Sequence, residues 1–77
     1  MNKYYISLAQ FLCGYYVQVV AEDKMVVRQY AAKWLPKLWC SVYKPEEIES
    51  QMHFDKSKVI GPVVHLTVED GEIYDNY

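Results

Sequence analysis

The chain has 77 residues, which makes one domain with a single thin core and little room for an enclosed active site, since a domain near this size buries only ~60% of its unfolded surface. It is 52% hydrophobic and 23% charged, a composition that excludes intrinsic disorder. The net charge is −2, but residues 1–44 set six cations against Glu22 and Asp23 alone, while residues 45–77 set eight acids against Lys56 and Lys58; that acidic half argues against general duplex binding.

In chain order, residues 3–11, KYYISLAQF, alternate between a Tyr4, Ile6, Leu8 face and a Tyr5, Ser7, Ala9, Phe11 face, as a strand does. LCG follows, with Gly14 supplying a turn. Residues 15–21, YYVQVVA, alternate again, so a hairpin is expected. Over 22–35 the period changes. Val27, Tyr30, Ala31 and Trp34 fall on one helical face, Asp23 is placed to cap it, and Pro36 ends it. Residues 38–44, LWCSVYK, give a third strand. PEEIESQMHF opens with proline followed by acids, which predicts a short second helix. DKSK reads as a loop. VIGPVVHLTVED reads as a fourth strand, with Gly61-Pro62 as a bend that puts it at an edge. EDGE reads as a turn, and IYDNY as a last strand or a frayed tail.

The order β-β-α-β-α-β predicts a single α+β domain over residues 1–77. It is a two-layer sandwich, an antiparallel sheet of about four strands with one main helix packed on one face. That helix is expected to cover Tyr4, Ile6, Leu8, Tyr15, Val17, Val19, Leu38, Cys40 and Val42, the more apolar set. The other face then carries Tyr5, Ser7, Tyr16, Gln18, Trp39, Ser41 and Tyr43, four aromatic rings among small polar groups.

Three uses of that aromatic face are open. Tyr and Trp anchor protein interfaces. Aromatic sheet faces also stack single-stranded bases, although few cations lie here. The third reading is that the short second helix and the tail cover it. The acids Glu46, Glu47, Glu49, Glu69, Asp70 and Glu72 either form a solvated surface or meet a basic partner by mimicking phosphates.

Cys13 and Cys40 lack a CxxC spacing, and His53 and His65 have no nucleophile placed with them, so no metal, cofactor or catalytic residue is assigned. No Gly-rich phosphate loop or zinc-protease motif is present. The opening MNKYYISLAQ lacks the apolar core of a signal peptide, and no apolar run reaches the ~20 residues that span a bilayer. A cytoplasmic location with reduced thiols is expected.

The stretch YYVQVVAEDKMVVRQYAAKWLPKLWCSVYKP, residues 15–45, resembles small phage-encoded inhibitors of bacterial RNA polymerase in its strand, AE helix entry, Ala- and Trp-bearing helix and return strand. A similar β-β-α-β plan occurs among small anti-CRISPR proteins. Trp34 falls one position from the inhibitors' helix tryptophan, and the chain after Pro45 has no counterpart there. The resemblance implies a non-catalytic viral protein, in the host cytoplasm, that binds a host protein or ribonucleoprotein complex and blocks it. A CRISPR effector or RNA polymerase is the implied target, reached without direct nucleic-acid binding. From the face assignment, and not from the resemblance, Tyr5, Tyr16, Trp39 and Tyr43 are the expected anchors, and the six acids the electrostatic part. The alternative is a single-stranded nucleic-acid-binding module on the same face. An exposed edge strand would also permit a homodimer.

Overall fold

The computed structural model describes residues 1–50 and 55–76. Five strands form one open sheet in the order β3-β1-β2-β4-β5, with β1 at Asn2–Leu8, β2 at Tyr16–Ala21, β3 at Trp39–Tyr43, β4 at Val64–Glu69 and β5 at Glu72–Asn76. The fold is α+β with one main helix, as the sequence order requires. There is one strand more than expected, and β2 pairs with β4 in parallel while the other neighbours are antiparallel.

The main helix α1, Lys24–Trp34, starts where Asp23 predicts: Asp23 Oδ1 accepts a hydrogen bond from the Val26 amide at 3.0 Å. It carries the chain across one face from β2 to β3, with β1 between them, which is a split βαβ arrangement. Its buried stripe is Val27, Tyr30 and Ala31, packed on Tyr4, Ile6, Leu8, Val19, Ala21, Val42, Val64 and Leu66. Trp34 leaves that stripe and is 58% exposed, with Lys33 Nζ 5.5 Å from its ring centre. The helix stops at Trp34, and Leu35, already out of helical geometry, packs on the core instead.

The link between β1 and β2 is longer than a tight turn. It holds a single 3-10 turn, Gln10–Leu12, and is tied to the α1–β3 loop by a hydrogen bond from Gln10 Nε2 to the Lys37 carbonyl at 2.9 Å. Phe11, expected in the first strand, lies in this link and is exposed.

A second helix, α2, spans Pro45–Glu49 and packs on β1. Tyr5 and Ile48 are both buried yet lie outside the α1-side cluster, so α2 covers part of the other sheet face. The remainder of the predicted helix, with Met52, His53 and Phe54, lies outside the described residues, as does Tyr77.

The predicted fourth strand is interrupted. Val59 bridges to Tyr16 and Val64 pairs with Val19, so five steps along this segment match three along β2. Gly61, at φ +74°, and Pro62 absorb the excess. The strand is not at an edge, because residues 72–76 form β5 beside it.

Candidate protein-interaction surface

The predicted aromatic face comes together only in part. The ladder sets Tyr43 opposite Tyr5 and Tyr5 opposite Gln18, and sets Ser41 opposite Ser7 and Ser7 opposite Tyr16. Directly opposed residues share a face, so these six do line one side of the sheet. Tyr5, however, is only 7% exposed beneath α2, which is the covered reading and makes it core. Tyr16 and Tyr43 are half-buried.

Trp39 is on the opposite side. The register slips between Ser7 and Leu8, so Ser41 faces Ser7 but Trp39 faces Leu8, with Cys40 left over. This is a β-bulge, and the extra residue reverses the alternation beyond it. Ser7 Oγ holds the bulge by accepting from the Ser41 amide at 3.0 Å and donating to the Ser41 carbonyl at 3.2 Å. Trp39 therefore packs on the α1 side, and Cys40, expected in the core, is exposed and free, as is Cys13.

The six acids divide into two groups. Glu46, Glu47 and Glu49 are exposed on α2. There the Lys44 amide donates to Glu47 Oε1 at 3.1 Å, and Lys24 Nζ stands 3.5 Å from the same oxygen. The Lys44 N–H is the main reason that the Glu47 carboxyl is held below its ordinary value, with Lys24 adding to it. Of the three, Glu47 works within the fold, closing the helix start onto α1.

Glu69, Asp70 and Glu72 lie instead at the tip of the β4–β5 hairpin. Asp70 and Gly71 have φ of +52° and +79°, the signature of a two-residue type I′ turn, for which Asp-Gly is among the preferred pairs. His65 is level with Val20, so Leu66 is level with the last residue of β2, Ala21. Residues 67–69 and their partners continue past the end of β2 by about 10 Å, at ~3.3 Å per residue. The arm so formed is acidic at its tip and exposes Val68 at 43% and Tyr74 at 48%. The Tyr74 hydroxyl donates to Glu72 Oε2 at 3.2 Å. At the arm's base, the Tyr30 hydroxyl donates to Asp75 Oδ2 at 3.2 Å and ties β5 to α1.

Sequence reasoning placed the tip acids but missed the apolar flanks Val68 and Tyr74. The signal was present: two alternating runs separated by Asp-Gly are a hairpin pattern.

Among the described residues, no group of three or more His, Cys, Asp or Glu could hold a metal ion, and no helix is long and apolar enough to cross a membrane. In comparisons with family models, curated proteins and solved structures, nothing matches this chain.

Proposed function

We propose that this chain is a non-catalytic protein-binding module that presents the β4–β5 arm to a basic surface of a larger partner and acts by occluding it. The observation that carries this reading is the arm itself: three acids at a type I′ turn, flanked by exposed Val68 and Tyr74, reaching past the end of β2. Apolar and aromatic groups beside like charges suit an interface with a basic, partly apolar patch. Nucleic-acid machines carry such patches where they hold phosphates, which supports a CRISPR effector or RNA polymerase as the class of target and agrees with the resemblance of residues 15–45 to small phage-encoded inhibitors.

The single-strand stacking alternative has less support from the geometry. Of its four rings, Tyr5 is buried and Trp39 is on the α1 side, which leaves Tyr16 and Tyr43.

The test is capture of partners from a bacterial lysate on the tagged chain, with nuclease-treated and untreated arms read by mass spectrometry. A stoichiometric protein partner that survives nuclease is the expected result. A partner set that disappears with nuclease would move the function to nucleic-acid binding.

A further inference from the structure

The sheet is open and ends in β3 on one side and β5 on the other. Each is a five-residue strand whose outer edge offers backbone donors and acceptors to a further strand. The two edges differ in charge. Beside β3, α1 and the strand form a groove of about 530 Å³ lined by Lys24, Met25, Arg28, Gln29, Ala32 and Trp39. Lys24 is paired with Glu47, whereas Arg28 is exposed and makes no ion pair among the described residues. β5 carries Glu72 and Asp75, and both are exposed.

These charges guard each edge against its own kind. A β3 edge meeting a second β3 edge brings Arg28 against Arg28, and two β5 edges bring acids together. They do not guard β3 against β5, where Arg28 meets acids. We propose that this chain associates with copies of itself head to tail, β5 of one copy adding beside β3 of the next. This does not rest on the function proposed above.

The strand directions permit it. β5 runs antiparallel to β3 within one copy, so a second copy in the same orientation presents an antiparallel partner with its α1 on the same side. On that side β3 carries Val42 and Trp39, and β5 carries Ile73 and Asp75, each set by its pairing with an α1-facing residue of the next strand. Ile73 then comes to the apolar wall of the groove and Asp75 to the layer of Arg28. The interface is heterologous, so copies add as a chain.

Sedimentation velocity over a concentration series, at low and high salt, tests this. Wild type should exceed the monomer mass as concentration rises, and less so at high salt. Arg28→Glu and Asp75→Lys should each weaken association by ~10-fold or more. Their equimolar mixture should associate again, because each variant supplies the edge that the other has lost. Asp75→Asn keeps an oxygen for the Tyr30 hydroxyl and should also weaken association, which separates lost charge from lost folding. A wild type that stays monomeric throughout, either charge-reversed variant associating like wild type, or a mixture that stays monomeric would overturn the proposal.

Discussion

Glu69 and Glu72 stand directly opposite each other on the last rung of the β4–β5 ladder, two like charges in one cross-strand pair. Such a pair opposes hairpin formation by roughly 0.2–1 kcal/mol relative to a neutral pair. Asp70 adds a third negative charge between them. A local arrangement that costs stability, with the Tyr74 hydroxyl bond to Glu72 as a partial return, fits the binding role proposed for the tip.

Relieving that repulsion should therefore separate stability from binding. Glu72→Lys should stabilise the domain by roughly 0.2–1 kcal/mol in denaturant melts. The same variant should lose affinity for the captured partner. A variant that is less stable, or that binds as well as wild type, contradicts the role given to the tip.

Gly71→Ala acts on the turn rather than on its charges. Gly71 sits at φ +79° with open space around it, so the strain is in the backbone alone. About 1–2 kcal/mol is expected against the hairpin, seen as faster amide exchange in residues 67–74 than in β1 and β2. Equal exchange in both regions would show that the arm is not a separate unit.

The sheet tyrosines should respond unequally. Tyr5→Ala removes a buried ring and should cost about 3–5 kcal/mol, enough to unfold a domain this small. Tyr43→Ala, half-buried at the β3 edge, should leave the domain folded with a loss of about 1 kcal/mol. Circular dichroism melts distinguish the two, and equal losses would place both rings in core.

Glu47 gives the fold a pH dependence of known sign. Its carboxyl is lowered from the ordinary 4.5 by the Lys44 amide. The charged form is thus the one the folded state favours, so its contribution is present above 4.5 and is lost as pH falls through the lower folded value. The melting temperature of wild type should exceed that of Glu47→Gln near neutral pH, with the gap closing in acid. A gap that persists unchanged below pH 4 would remove the assigned cause.

The readable parts of this fold were those set by local chemistry. The α1 helix followed from a 3.6-residue period and Asp23, and EDGE was legible as a turn, though not as the turn of a hairpin. Trp39 was not readable, because one extra residue at Cys40 reverses every face assignment beyond it and nothing in a run of alternating residues announces a bulge. The parallel pairing of β2 with β4 joins residues more than 40 positions apart, and no local pattern encodes it. The two acidic runs were expected to serve one electrostatic role, yet the fold leaves Glu46, Glu47 and Glu49 on α2 and carries Glu69, Asp70 and Glu72 out on the arm.

The most direct measurement compares partner capture by the tagged wild type and by the Glu69→Lys, Glu72→Lys double variant from one nuclease-treated lysate, after melts confirm that both are folded. The account predicts one stoichiometric partner on the wild type and its loss from the variant. The same partner retained equally by both would contradict the claim that this arm is the binding surface.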